Sequence, residues 1–260
     1  MKALFVAPML ILGLLAPTGA HAQKCQNSQY KGVYSALALG DFITLPGLPP
    51  PLLGPTTRLG RVEVDGNGNA KIHAITSLDG FILEEDYTGT YVVNPDCTID
   101  VILNIPFPGA GFIPFQFKGV FSENLQQLDI MLVNPPGSTV TLTLRQQNKA
   151  NCTSHDLNGG YAVNMRGDTG LPASPTLFSR LGRVQFDGVG GFSAQTFTSS
   201  GGAIAADNFS GTYSVDPSCA FTMSYAGNIW SGVLMNNSSA AYIMLTTPGG
   251  TTVSGTLQQQ

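Results

Sequence analysis

The stretch DYTGTYVVNPDC (86–97) returns 122 positions later as NFSGTYSVDPSC (208–219). Each version reads as a β-strand, an Asn/Asp-Pro turn and a closing cysteine. The echo runs outward from that phrase, which makes it part of a repeated folding unit. RLGRVEVDGNG (58–68) matches RLGRVQFDGVG (180–190) at the same spacing, and CQNSQYKGVY (25–34) matches CTSHDLNGGY (152–161) at 127. Further on, KGVF (118–121) matches SGVL (231–234), and IMLVNPPGSTVTLTLRQQ (130–147) matches IMLTTPGGTTVSGTLQQQ (243–260), both at 113. Two copies follow, 23–148 and 149–260, with only a few polar residues between them.

Each copy divides into about eight short strands, in the first copy near 32–40, 58–65, 70–77, 82–93, 97–105, 114–122, 127–133 and 139–147. Alternation is plain in RVEVDG, where Val62 and Val64 face one way and Arg61 and Glu63 the other. DGNG and DGVG are hairpin turns, because Gly and Asn adopt positive φ at little cost. The mature chain carries no capped stretch with a 3.6-residue period. Eight consecutive strands with short links predict an all-β fold: two tandem eight-stranded antiparallel up-and-down β-barrels, closed so that neither has an exposed edge.

In such a meander all odd strands start at one end. Cys25 and Cys152 precede the first strand of each copy, and Cys97 and Cys219 open the fifth. Four cysteines allow three pairings; the repeat favours Cys25–Cys97 and Cys152–Cys219, one disulfide stapling one end of each barrel. The spacing between copies changes only at the other end. It shifts within DFITLPGLPPPLLGPTT (41–57), and again in or next to NIPFPGAGFIPF (104–115), which faces only YAGN (225–228) in the second copy. One end reads as structural, and the other carries long apolar loops of the kind that hold function.

Residues 1–22 have Lys2, an apolar run from Ala3 to Leu15 and a closing Ala20-His21-Ala22. That is the pattern of a Sec-type signal peptide cleaved near Ala22/Gln23, so a secreted or periplasmic protein is expected. No later run is long enough to predict a transmembrane segment. Removing Lys2 takes the net charge from −4 to about −5, and no basic run exists to attract nucleic acid. Charged residues are only 11% of the chain while 43% are hydrophobic, which favours a packed β-fold over disorder.

Candidate chemistry is sparse. His73 and His155 stand in no metal-ligand spacing, so no metal or cofactor is expected. No G-x-S-x-G occurs, and the cysteines are committed to disulfides. Glu84-Glu85-Asp86 is the one acidic cluster; with Ala206, Asp207 and Asn208 at its place in the second copy, it reads as a solvated strand. Arg61 and Arg183 are expected to cover the barrel exterior with their alkyl stems. Asp41 and Arg58 bracket the first apolar loop, as Asp168 and Arg180 do in the second copy. They read as an ion pair tying the loop ends, or as an arginine at the barrel mouth that meets a ligand carboxylate.

The phrase TGTYVVNPDCTID (88–100), with LGRVEVDGNGN (59–69) ahead of it, resembles a pattern of uncharacterised secreted bacterial repeat proteins, a likeness that implies no function. By strand count and order each copy is similar to the calycin-like group of lipocalins, avidins and allene-oxide-cyclase-type barrels. The lipocalin G-x-W opening is replaced by Gly32-Val33-Tyr34 and Gly159-Gly160-Tyr161, and Trp230 is the only tryptophan, against an avidin-like biotin site.

The sequence thus predicts an exported non-enzymatic protein that binds a small apolar ligand at the loop end of a barrel. The candidate binding set is Leu52, Leu53, Arg58, Phe107, Phe112 and Arg180. The alternative is a cell-surface or extracellular protein-interaction module that meets a protein partner through loops 41–57 and 104–115. Those loops can equally be contacts between the two copies. A barrel isomerase or cyclase is the third reading, weakened because the copies share no acid–base set.

Overall fold

In the computed structural model, which describes residues 24–44, 53–107, 111–122 and 125–260, each copy closes into an eight-stranded antiparallel barrel. The first consists of β1 (Lys31–Phe42), β2 (Gly54–Asp65), β3 (Asn69–Leu78), β4 (Phe81–Val93), β5 (Thr98–Phe107), β6 (Gly111–Ser122), β7 (Gln127–Asn134) and β8 (Thr141–Gln146). The second consists of β9 (Asn158–Thr169), β10 (Thr176–Asp187), β11 (Gly191–Ser200), β12 (Ala203–Val215), β13 (Ala220–Tyr225), β14 (Asn228–Met235), β15 (Ala240–Thr247) and β16 (Ser254–Gln259). Every strand pairs with its neighbours in sequence, and β1–β8 and β9–β16 pairings close the rings. The described helical structure is confined to single 3₁₀ turns such as Asn27–Gln29 and Ser154–Asp156. The expected signal segment, residues 1–22, lies outside the described residues.

The disulfides are Cys25–Cys97 and Cys152–Cys219, with Cα separations of 5.0 and 4.9 Å. They explain the repeated phrase residue by residue. The tyrosine of each GTY points inward at the stapled end. Tyr91 accepts from the Gly66 amide and donates to the Tyr30 carbonyl, each at 2.9 Å, tying the β2–β3 turn to the segment before β1. Tyr213 repeats the second bond, donating to the Leu157 carbonyl at 2.8 Å. The glycine two residues earlier is required by close packing: a Cβ on Gly89 would lie 2.6 Å from the Ile102 carbonyl oxygen, and one on Gly211 2.1 Å from that of Ser224. The Pro-containing turn then closes through the Cys97 amide donating to Asn94, and the Cys219 amide to Asp216.

At the stapled end of barrel one Tyr30 packs against Tyr34, Tyr91 and Phe121 with centroid separations of 4.8–5.0 Å. At its opposite end, the mouth, Phe107 stacks on Phe115 at 5.5 Å and both meet Phe42. This corrects the expectation for 104–115, which is largely strand rather than loop. β5 and β6 extend as a hairpin whose inward residues Ile105, Phe107 and Phe115 are buried. The first link is likewise shorter than 41–57, because β1 runs to Phe42 and β2 starts at Gly54. Residues 45–52 of it lie outside the described residues.

The barrels are joined along their sides. The outer face of β1–β3 meets the outer face of β14–β15 in a separate apolar cluster containing Leu37, Leu59, Val233, Met235, Tyr242 and Met244. Three hydroxyls fix the register there: Ser35 Oγ donates to the Leu234 carbonyl (2.6 Å), Thr57 Oγ1 to Thr252 (2.9 Å) and Ser77 Oγ to Thr251 (2.5 Å). These hydroxyls sit among buried groups, where an unmade hydrogen bond costs about 1–3 kcal/mol, so they select one docking geometry.

Candidate functional site

Strand parity decides what faces each barrel interior. On β2 the inward residues are Arg58, Gly60, Val62 and Val64, and on β4 they are Glu85, Tyr87, Gly89 and Tyr91, so Arg58 and Glu85 meet inside the barrel just below the phenylalanine plug. Arg58 donates to Glu85 Oε2 through Nη2 at 2.9 Å and through Nε at 3.1 Å. Thr76 Oγ1 donates to the same oxygen at 2.5 Å. The guanidinium also lies over the Tyr87 ring, 5.5 Å from its centroid. Burial works to lower the Arg58 pKa, but Tyr87 and Glu85 outweigh it and hold the group above its ordinary value. Glu85 Oε1 is buried with no hydrogen-bond partner.

Two expectations are corrected here. Arg58 does not tie the ends of the apolar loop to Asp41, because Asp41 points outward and Arg58 inward. Nor is the acidic cluster uniformly solvated. Glu84 and Asp86 are exposed beside His73, at 3.6 and 3.0 Å, while Glu85 between them is buried.

Barrel two holds the counterpart in looser form. Arg180 Nη2 lies 3.5 Å from Asp207, and Thr198 Oγ1 donates to that carboxylate. Arg180 also donates to the Tyr225 hydroxyl at 2.6 Å and lies over Phe209, 5.1 Å from its centroid. Phe209 and Tyr225 stack at 4.1 Å and fill the mouth that the phenylalanines fill in barrel one. Asp207 is a third exposed, unlike Glu85. Again the arginine's carboxylate is not the loop-end aspartate, Asp168.

Among the described residues, the sequence-predicted set is distributed over both barrels. Arg58 and Arg180 lie in different barrels, Phe107 is buried in the plug, Phe112 is exposed on the opposite face of β6, and Leu53 packs partly buried on the first core. Leu52 lies outside the described residues. The interior void of barrel one is about 40 Å³, lined by apolar side chains with Arg58 and Tyr87, and that of barrel two about 20 Å³. Small-molecule sites run from about 300 to 1,000 Å³; voids of this size hold a few waters at most. Among the described residues no three His, Cys, Asp or Glu side chains converge as a metal site.

Parity also identifies a surface that the sequence analysis did not single out. On the outer face of β10–β12, Leu177, Leu181, Phe197 and Ile204 are 62–78% exposed. Leu181 pairs across the strands with Phe197, and Ser199 with Ile204, so the four lie on one continuous patch. In barrel one, Ile102, Val120, Met131 and Val133 are exposed on the outer face of β5–β7. The alternation that marks inward residues could have found both patches, since each breaks the rule that the outward set is polar.

No family model matches the chain, and no curated protein matches it. Seven chains of solved structures match. One is isotype 1 transferrin-binding protein B from serogroup B Neisseria meningitidis, with 8% identity over 90% of this chain and 77% of its own, TM-score 0.30. Another is a protein of unknown function of the DUF3598 family from Nostoc punctiforme, with 12% identity over 91% of this chain and 100% of its own, TM-score 0.27. Likeness at this level leaves function to be argued from the chain's own residues.

Proposed function

We propose that the chain is an exported, non-enzymatic protein-interaction module, with barrels as rigid scaffolds and outer sheet faces as the working surface. One observation carries this reading: the barrel interiors are filled, while four large apolar side chains on β10–β12 stand open to solvent. Contiguous exposed apolar residues on a soluble protein mark interaction surfaces. All four cysteines are paired, which suits an oxidising extracellular or periplasmic compartment. Export by cleavage near Ala22/Gln23 belongs to the same proposal, as does kinship with uncharacterised secreted bacterial repeat proteins sharing the GTYxVNPDCT phrase.

The test is photo-crosslinking in the cells' own exported fraction. A benzophenone side chain carried at position 197 is expected to trap adducts of protein mass, and one carried at the exposed polar position 88 is not. Equal trapping at both positions, or none at either, overturns the reading. A second reading, a very small ligand inside barrel one, rests on the unpartnered Oε1 of Glu85, whose partner Arg58 lines the 40 Å³ void. The barrel-cyclase reading finds the buried carboxylate inside barrel one, Glu85, already engaged by Arg58 and Thr76. Turnover of any candidate substrate abolished by Glu85→Gln would restore it.

A further inference from the structure

The contact between the two barrels is heterologous: one face of barrel one meets a different face of barrel two. Because the barrels are repeats, each carries its own version of both faces, and the contact uses only half of them. The donor face of barrel one is the outer side of β1–β3, centred on Leu59 and Ile75 with the hydroxyls of Thr57 and Ser77. Its counterpart in barrel two, 122 positions on, has Leu181, Phe197, Ser179 and Ser199. These four positions keep an apolar group or a hydroxyl, whereas Ser35 and Leu37 of β1 become Ala162 and Asn164; yet Leu59 is 2% exposed and Leu181 62%. The acceptor face of barrel two, β14–β15, presents Val233 and Met244 with the carbonyls of Thr251 and Thr252. Its counterpart in barrel one, 113 positions back, has Val120 and Met131, both open to solvent, with the carbonyls of Ser138 and Thr139.

We infer that the free donor face of barrel two docks on the free acceptor face of barrel one in a second copy of this chain, repeating the internal contact head to tail. The proposal rests on the interaction-module reading and names the partner. Charge supports it. Beside the internal contact, Arg61 lines a groove opposite Ser218 and Thr222. In the repeated contact the corresponding residues are Arg183 on one copy and, on the next, Asp96 with the Asp100–Lys118 ion pair, a net negative set opposite the arginine, while Asp216 of the internal groove becomes Asn94. Five apolar residues of the internal contact become polar: Leu39 and Tyr242 become Arg166 and Asp129, again opposite in sign, and Leu37, Met235 and Ala240 become Asn164, Ser122 and Gln127, so the repeated contact is more polar than the internal one. A heterologous contact of this kind does not satisfy itself in a two-fold dimer; it propagates into a ring or an open filament. The internal contact also has the advantage of tethering, an effective concentration in the millimolar range for a short linker. The free version lacks that, so association is expected at tens to hundreds of micromolar, corresponding to about −5 to −6 kcal/mol.

Sedimentation equilibrium of the mature full chain tests this with two surface variants, Phe197→Asp on the donor face and Met131→Asp on the acceptor face. The wild type is expected to gain mass with concentration beyond a dimer, and each variant alone to remain monomeric. Mixed in equal amounts, the two variants are expected to form a dimer and stop there, because only one intact pair of faces remains. A mixture that stays monomeric while the wild type associates, or a variant that associates like the wild type, overturns the head-to-tail geometry. A wild type monomeric throughout overturns self-association. Photo-crosslinks from position 197 to a different protein would then keep the interaction-module reading, and their absence would end both. Far-ultraviolet circular dichroism of the variants, expected to match the wild type, shows that the loss is one of association and not of fold.

Discussion

Replacing Glu85 by alanine strips the Arg58 guanidinium of its only described charged partner while leaving it inside barrel one. Side-chain exposure is 12% for Arg58 and 4% for Glu85, and their contact is 2.9 Å. Removing one member of a buried pair costs about 3–5 kcal/mol, most of it from the charge left behind. The corresponding change in barrel two, Asp207→Ala, acts on a 3.5 Å contact with a third-exposed carboxylate, and Arg180 keeps Tyr225 and Thr198. Its cost is expected near 1 kcal/mol, in the range of partly exposed pairs. Replacing both members in barrel one with apolar residues of similar volume, Arg58→Met with Glu85→Leu, removes the unpaired charge and is expected to fall within about 1 kcal/mol of the wild type or above it. Urea unfolding followed by circular dichroism reads all three. With m near 2 kcal/mol/M, Glu85→Ala shifts the midpoint down by about 2 M and Asp207→Ala by about 0.5 M. Trp230 lies in barrel two, so its fluorescence adds a probe of that barrel alone. A double variant as unstable as Glu85→Ala, or equal losses from Glu85→Ala and Asp207→Ala, would refute the reasoning.

The other perturbations address the staples, the barrel contact and the tyrosines. Cys97→Ser and Cys219→Ser open loops with sequence separations of 72 and 67 residues and are each expected to lower stability by about 2–5 kcal/mol by calorimetry; losses below 1 would contradict the staple role. Leu59→Ala, in the contact between barrels, is expected to cost about 2–5 kcal/mol and to separate the Trp230 fluorescence transition from the circular dichroism transition. A single coincident transition at the wild-type midpoint would show that the contact contributes nothing. Tyr34 and Tyr161 have pKa values pushed up to about 12, by burial first and then by Tyr91 and Tyr213 respectively. A raised folded-state value means that the stability linked to the neutral phenols is complete below about pH 10 and is lost as pH rises through 12. Absorbance at 295 nm should show a late-titrating set, with the melting temperature falling above pH 10. All tyrosines titrating together near 10 without loss of stability would contradict it.

Much of the fold was legible because the chain is written twice. Repeat spacing, turn residues and strand alternation located all eight strands of barrel one, and meander order led to Cys25–Cys97 and Cys152–Cys219. The segment 104–115 misled because Pro and Gly within it suggested a loop, whereas alternation through Ile105, Phe107 and Phe115 carries two strands onward into a plug. Arg58 and Glu85 were legible in part. Arg58 shares the parity of Val62 and Val64, so its inward direction follows from the alternation in RVEVDG. Glu85 needs the β3–β4 register to be placed beside it, and sequence proximity to Asp41 offered a competing partner. The exposed apolar face of β10–β12 was the least legible part. Leu59 and Leu181 are the same residue at the same place in the repeat; one is covered and one is open. Parity gives the direction of a side chain, but what covers it depends on how two closed barrels dock.

The central claim is that the barrels are filled scaffolds whose outer faces do the binding. Native mass spectrometry of the mature protein purified from its own host's exported fraction, followed by denaturing spectra of the same sample, tests it most directly. The account predicts the bare mass of the chain, its integer multiples, or complexes with other proteins, and no small molecule released on denaturation. A stoichiometric adduct of a few hundred daltons lost on unfolding would contradict it, since neither interior void could hold such a ligand without the barrel opening.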